Sequence, residues 1–219
     1  MRRRFHLFSS RLRRQPSELD NVEPNLPGME RVSLEKDPSI EACVLAGGLS
    51  TRMGQDKSAL RLRGRSLLAW AKTPAMALGL RPRVIRIDLV DRCGPIGGVY
   101  TALRTTSCSW VLFLSCDMPF LGIRIVEQLM SASRRRECAF FEMNSYVGFP
   151  FVLSRGMLEV TDAMIAAGRY SMQELAVRSG ALKFQVPEGE HWRMSNINTP
   201  EMLEWAKLRS VENSDLLGA

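Results

Sequence analysis

From Glu41 onward the chain repeats one pattern: a short run of apolar residues, a Gly-rich or acidic turn, then a stretch whose apolar residues fall at helical spacing. Uninterrupted apolar runs bounded by turn residues read as strands covered on both faces, and their alternation with helices reads as a mostly parallel α/β sheet. The strands predicted are Ala42–Ala46, Val84–Asp88 and Trp110–Ser115, then Ala139–Met143, Gly148–Leu153, Lys183–Val186 and Met194–Ile197. Helices are predicted over Ser66–Leu78, Ile96–Arg104, Ile123–Ser133 and Arg155–Ala167. Two further helix starts are marked by Ser171 with Glu174 at capping-box spacing and by Thr199-Pro200, an N-cap followed by proline at the first helical position. Phe140, Phe141, Phe149 and Phe151 alternate with small or polar residues and read as core.

Residues 1–38 carry no such period, and Pro16, Pro24, Pro27 and Pro38 interrupt any helix. They are expected to form a basic disordered tail or extension ahead of a domain spanning 39–219. Phe5, Phe8 and Leu12 would share one face of an Arg-flanked helix, as in an organellar transit peptide, and Met29 offers an alternative start.

Composition changes this picture in three places. The 219 residues carry a net charge of +7, but six arginines lie within residues 1–14, leaving 24 basic and 23 acidic side chains in the rest. The domain is therefore close to neutral, and no specific nucleic-acid partner is expected. The longest strongly apolar run, Trp110–Leu114, is far short of the ~20 residues of a membrane span, so no membrane partner is expected either. Five cysteines, an odd number without metal-ligand spacing, point to a reducing compartment and a cytoplasmic location. With His6 and His191 as the only histidines, a multi-histidine zinc site or Ser-His-Asp triad is disfavoured.

The chemistry concentrates in Val44-Leu45-Ala46-Gly47-Gly48-Leu49-Ser50-Thr51-Arg52-Met53-Gly54-Gln55-Asp56-Lys57, a strand running into a loop with three glycines and two cations. Glycines let backbone N–H groups approach a phosphate chain, and Arg52 and Lys57 can neutralise charge on a transferring phosphoryl group. A tight strand-to-helix turn would also use such glycines, and the pattern is neither a Walker A nor a Rossmann GxGxxG.

The string resembles the signature of the molybdenum cofactor guanylyltransferases, within the MobA-like α/β nucleotidyltransferases. Three further segments match in the same order: Cys93-Gly94-Pro95-Ile96-Gly97-Gly98, Leu114-Ser115-Cys116-Asp117-Met118-Pro119-Phe120-Leu121 and Asn196-Ile197-Asn198-Thr199-Pro200-Glu201. The resemblance implies a three-layer α/β/α Rossmann-like fold and transfer of GMP from GTP to molybdopterin with loss of pyrophosphate. It implies Arg52 and Lys57 as catalytic cations, and a nucleotide site of Leu45, Ala46, Gly47, Gly48, Lys57, Asp88, Gly94, Gly97 and Asp117. Asp117, at the end of an apolar strand, is the implied ligand of a Mg²⁺ cofactor. Asn198 either contacts substrate or metal or satisfies backbone at a helix start, and Asp56 either serves the site or pairs with Arg52 or Lys57 to hold the loop. Asp91 is expected to be solvated and Cys116 to be packing. Transient contact with molybdopterin-carrying proteins is also implied.

The chain departs from that family pattern between Gly64 and Asp88, where one helix and one strand stand in place of two such units. The Asn-containing turn that would end the missing strand has no counterpart. Either the Asp88 strand moves into the vacant position or a sheet edge is left open. The loss keeps two alternatives in view: a catalytically impaired nucleotide-binding relative acting as an accessory protein, and a cytidylyl or sugar-phosphate nucleotidyltransferase.

Overall fold

The computed structural model describes residues 39–47 and 60–212. The apolar run at the start of the domain forms β1 (Ile40–Leu45), and the residues before the first helix form a small hairpin, β2 (Arg61–Leu62) with β3 (Arg65–Ser66). Then follow α1 (Leu67–Ala77), β4 (Arg83–Ile85), α2 (Pro95–Thr105), β5 (Trp110–Ser115) and α3 (Ile123–Arg134). The second half contributes β6 (Ala139–Met143), β7 (Tyr146–Ser154), α4 (Leu158–Ala166), α5 (Met172–Arg178), β8 (Leu182–Gln185) and α6 (Pro200–Glu212), with 3-10 turns at Arg155–Met157 and Glu188–Met194.

The main sheet has the order β4-β1-β5-β7-β6-β8. The pairs β4–β1, β1–β5 and β6–β8 are parallel, while β7 runs antiparallel to both neighbours. Because β1 and β5 are covered on both sides, successive residues enter different cores. Ala42, Val44, Leu112 and Leu114 meet α1 and α3 through Ala71, Ala75, Ile125 and Leu129. Cys43, Val111 and Phe113 face the opposite layer, where Ile96, Val99 and Leu103 of α2 join Met164 of α4 and Leu175 of α5. That is the expected three-layer α/β/α arrangement with a mostly parallel sheet. Phe113, Phe151 and Phe140 stack in series across β5, β7 and β6 at centroid separations of 4.7 and 4.6 Å, fixing the register of the antiparallel strand.

Both helix-start signals act as read: Ser171 Oγ accepts from the Glu174 N–H at 3.4 Å, and Thr199 Oγ1 accepts from the Met202 N–H at 3.3 Å. Two strands need correction. Met194–Ile197 is not a strand: Met194 and Ile197 are buried, but in different clusters, and the Ile197 N–H donates to the Asp117 carbonyl at 2.8 Å instead of to a ladder. The strand expected over Val84–Asp88 stops at Ile85, and Ile87 is 85% exposed. Arg155–Met157 begins its helix as 3-10 turn. The hairpin β2–β3 was not foreseen, since two-residue strands carry no periodicity.

The interval between Gly64 and Asp88 has a clear structural outcome. Strand β4 pairs directly with β1, Cys43 opposite Arg83 through Leu45 opposite Ile85. The strand preceding Asp88 thus occupies the position next to β1 and is itself the sheet edge. Three residues give few ladder bonds, and a charged clamp supplements them: Arg83 donates to both Glu41 carboxylate oxygens, at 2.7 and 3.0 Å, and to Thr105 Oγ1 at 2.8 Å. Burial alone would raise the Glu41 pKa. Hydrogen bonds from Arg83 and Thr106 and the Arg83 charge outweigh it and hold the carboxyl below the usual glutamate value. Burial pushes the neighbouring Cys43 thiol up to about 12, with the Glu41 charge adding to the shift.

A depressed carboxylate pKa contributes stability that is present above the unfolded value and lost as pH falls through the folded one. Glu41→Gln is therefore expected to cost about 1 kcal/mol near neutral pH, the scale of a partly solvated charged pair. Thermal melts should show the wild-type advantage shrinking below pH of about 4.3. An advantage that persists unchanged at pH 2 would show that Glu41 acts through packing and not through its charge.

Candidate nucleotide site

Strands β4, β1 and β5 all run the same way, so their carboxyl ends meet at one edge of the sheet, where open α/β sheets bind ligands. The backbone ties the three exits together. The Ala46 N–H donates to the Ile85 carbonyl at 2.8 Å, and the Cys116 N–H donates to the Leu45 carbonyl at 3.2 Å. The chain leaving β1 at Gly47 therefore starts between the Asp88 segment and the Asp117 segment.

Asp88 is seated by close packing with glycines. A Cβ on Gly97 would lie 2.9 Å from Asp88 Oδ2 and 3.1 Å from the Val90 carbonyl oxygen, closer than side chains tolerate. A Cβ on Gly47 would stand 3.0 Å from the Arg86 carbonyl oxygen, with Asp88 Oδ1 at 3.8 Å. Gly94, at φ of 56°, makes the turn into α2 in a conformation that favours glycine, and Pro95 opens the helix. Thr101 completes the seat: its Oγ1 accepts from the Leu89 N–H at 2.8 Å and donates to the Gly97 carbonyl at 2.8 Å. Sequence reasoning missed Thr101, and its only signal was a threonine four residues after Gly97 in a helix, the back-bonding spacing. Burial raises the Asp88 pKa, and the charge of Asp91 raises it further. Asp91 itself is exposed, as expected.

Asp117 follows the end of β5, and Ser115 Oγ donates to its Oδ1 at 2.5 Å, fixing the carboxylate. The Ile197-to-Asp117 backbone bond brings Asn198 beside this turn, so two motifs 81 positions apart in the sequence converge. Cys116 is buried in the core, consistent with packing. Leu45 packs against Gly98, where a Cβ would meet Leu45 Cδ1 at 2.8 Å. Gly48, Arg52, Asp56 and Lys57 lie outside the described residues. The described geometry thus brings together Leu45, Ala46, Gly47, Asp88, Gly94 and Gly97, with Asp117 and Asn198 alongside.

This combination is that of an α/β nucleotidyltransferase domain: a mostly parallel sheet, glycines packed closely at its carboxyl edge, and carboxylates just past the ends of β4 and β5, the two strands that flank β1. The chain belongs to the MobA-like NTP transferase domain family, whose model matches residues 42–88 and 73–180. Residues 73–88 fall in both stretches. A molybdenum cofactor guanylyltransferase from Syntrophotalea carbinolica is 29% identical over 185 residues, covering 74% of this chain and 88% of that protein. One from Pseudomonas putida is 27% identical over 193 residues, covering 76% and 97%. Among solved structures, molybdopterin-guanine dinucleotide biosynthesis protein A from Archaeoglobus fulgidus superposes with a TM-score of 0.64 at 20% identity, covering 78% of this chain and 99% of that one. The 2-C-methyl-D-erythritol 4-phosphate cytidylyltransferase of Thermus thermophilus superposes with a TM-score of 0.61 at 16% identity, covering 79% and 99%. At these identities the two structures speak to the fold.

Gly97 and Gly98 make different demands, and substitution separates them. Alanine at either position gains helix propensity, about 1 kcal/mol. Gly97→Ala must push Asp88 or the Val90 backbone aside, whereas Gly98→Ala need only shift the end of the Leu45 side chain. Calorimetric titration with Mg-GTP should show at least about a tenfold loss of affinity for Gly97→Ala, a cost of about 1.4 kcal/mol, and a smaller change for Gly98→Ala. Equal affinities in the two variants would remove Asp88 from the nucleotide site.

Proposed function

We propose that this protein transfers GMP from GTP to the phosphate of molybdopterin, releasing pyrophosphate and forming the guanine dinucleotide form of the molybdenum cofactor. The observation that carries the reading is the convergence of Gly47, the Asp88 seat and Asp117 at one sheet edge, in a member of this transferase family. The names of its relatives from Syntrophotalea carbinolica and Pseudomonas putida support the choice of guanylyl transfer.

The residues divide the work by the charge they meet. Backbone N–H groups at Gly47 and Gly48 approach the phosphate chain, and Arg52 and Lys57 offset charge that builds on the leaving pyrophosphate. Asp88, held in place by Gly97 and Thr101, accepts hydrogen bonds from donor groups of the nucleoside. The acceptor phosphate is already ionised near neutral pH, so its attack on the α-phosphorus needs orientation and no protein base. The donors beside β5 fit a magnesium ion that arrives with the triphosphate. Asp117 supplies a hard carboxylate oxygen and Asn198 an amide oxygen, and Mg²⁺ commonly takes one or two protein ligands plus phosphate oxygens and water. Bound there, the ion supplies Lewis-acid polarisation of the α-phosphate. A cytoplasmic setting, supported by five free cysteines, and transient contact with molybdopterin-carrying proteins belong to the same proposal.

The reading is tested by incubating the full chain with labelled GTP, Mg²⁺ and molybdopterin and resolving the dinucleotide. Asp117→Asn is isosteric and should leave the fold intact while reducing transfer by about 10²-fold or more, the scale of one lost electrostatic stabiliser. Unchanged transfer in Asp117→Asn would remove the metal assignment. The shortened interval favours one second reading, an accessory protein that binds nucleotide without turnover, and the same assay separates the two.

The vacant wall also sets an expectation for selectivity. Phosphate and metal contacts lie outside the shortened stretch and serve any nucleoside triphosphate, whereas base discrimination relies on polar contacts that a wrong base leaves unpaired. Calorimetry should give GTP and ATP affinities within about tenfold of each other. A strong preference for GTP would show that another segment rebuilds the base pocket.

A further inference from the structure

The two edges of the main sheet are finished differently. At β8 the edge is charged: Lys183 donates to Glu142 Oε1 at 2.8 Å and Gln185 to Glu142 Oε2 at 2.5 Å, the kind of guard that keeps an edge from pairing with another chain. β4 is the other edge, and among the described residues no strand lies beyond it. Just past its end two large apolar side chains stand in water, Ile87 at 85% exposure and Leu89 at 59%. Met76 of α1, Tyr146 of β7 and Val177 of α5 are also exposed, but singly, which is ordinary for a protein surface. On α6, Trp205 packs against Phe120 and leaves Leu208 alone. Ile87 and Leu89 differ in being a pair, with one residue between them, beside an open edge.

The pair is presented on a fixed backbone. The Leu89 N–H donates to Thr101 Oγ1 at 2.8 Å, the Arg86 carbonyl oxygen lies where a Cβ on Gly47 would come within 3.0 Å, and Asp88 turns inward against Gly97. A contact made by residues already held in place loses little freedom on association. The charges along the segment are sorted by direction. Arg81 and Arg86 precede Ile87 and are exposed, and Asp91 follows Leu89 and is exposed as well. Arg92, at φ of 58° in the turn leading to α2, lies beyond this run. Laid antiparallel on a second copy of itself, the segment sets its cationic half against the other's acidic half, with the apolar pair between them. A two-fold contact requires that self-complementarity, because the same patch serves both partners.

We propose that two copies of this chain associate about a two-fold axis through this edge, burying Ile87 and Leu89 of each copy and setting Arg81 and Arg86 of one opposite Asp91 of the second copy. The contact covers the open side of β4 and leaves Asp88 facing inward. It stands apart from the guanylyl-transfer reading, since it uses none of the residues assigned to phosphate, metal or nucleoside.

The test is sedimentation equilibrium of the full chain at micromolar concentrations. It compares wild type, Ile87→Asn with Leu89→Asn, Asp91→Arg, and Asp91→Arg with Arg86→Asp. All four positions are exposed, so the variants should keep the circular dichroism of wild type. Wild type is expected to approach twice the mass of one chain as concentration rises. Association should weaken by at least about tenfold in the paired asparagine variant and in Asp91→Arg, where like charges now meet, and should recover when Arg86→Asp restores opposite signs. That recovery separates a lost contact from damage to the fold, because a misfolded variant is not rescued by a second surface substitution. A wild-type chain that stays monomeric, an asparagine variant that associates as wild type does, or a reversal at Asp91 without effect or without rescue would overturn the proposal.

Discussion

The site depends on the direct parallel pairing of β4 with β1. Three residue pairs, Cys43 with Arg83 through Leu45 with Ile85, and the bond from the Ala46 N–H to the Ile85 carbonyl set where the chain after β4 emerges. From that point Arg86 passes close to Gly47 and Asp88 reaches the first turn of α2, where Gly97 leaves room for its carboxylate. A slip of one residue along β1 would reverse the faces of β4 and take Ile85 out of the core. So short a strand has little ladder energy to resist that slip. The bidentate Arg83–Glu41 pair and the Thr101 bond to Leu89 act on either side of β4, one holding its start and the other the turn beyond its end.

Much of this was legible in the sequence, and the parts that were share one property. β5 is a nearly continuous apolar run, and β1, β6 and β7 are apolar over their buried residues, because those residues are covered on both faces. The caps at Ser171 and Thr199 depend on neighbours three residues away, so local chemistry settles them. The glycines before α2 and Asp117 at a strand end were legible as a resemblance, and the structure gives them a physical reason: space for a carboxylate at Gly97 and an anchored carboxylate beside Ser115.

What was not legible depends on contacts between distant segments. Ile87 looks like the interior of a strand until the demand of Asp88 for α2 ends the ladder at Ile85. Met194 and Ile197 have the apolar character of a strand, but Met194 ends a 3-10 turn and Ile197 follows it in a loop, and the two are buried in separate clusters. Trp70 also illustrates the limit. Its Nε1 donates to the Leu62 carbonyl at 2.8 Å, and its ring packs with Leu62, Leu67 and Phe120 while Arg65 covers it. Nothing in the local sequence announces a hairpin and helix folded around one indole.

The single helix and strand between β3 and Asp88 bear unequally on the two ends of the proposed substrate. Hydrogen bonds to charged groups contribute about 1.5–3 kcal/mol each, against about 0.5–1.5 for neutral ones, so in the proposed site phosphate and metal contacts would supply more of the binding energy than a polar wall around the base. With β4 the only described strand on that side of β1, the strand ends that carry Gly47 and Asp117 are both in place. β5 and α3 lie outside that interval, and β4 is an edge strand on the far side of β1 from β5. A domain built this way can lose selectivity at one end of its substrate while keeping the geometry of transfer at the other. β4 pairs with β1 as a short, clamped edge instead of leaving β1 exposed.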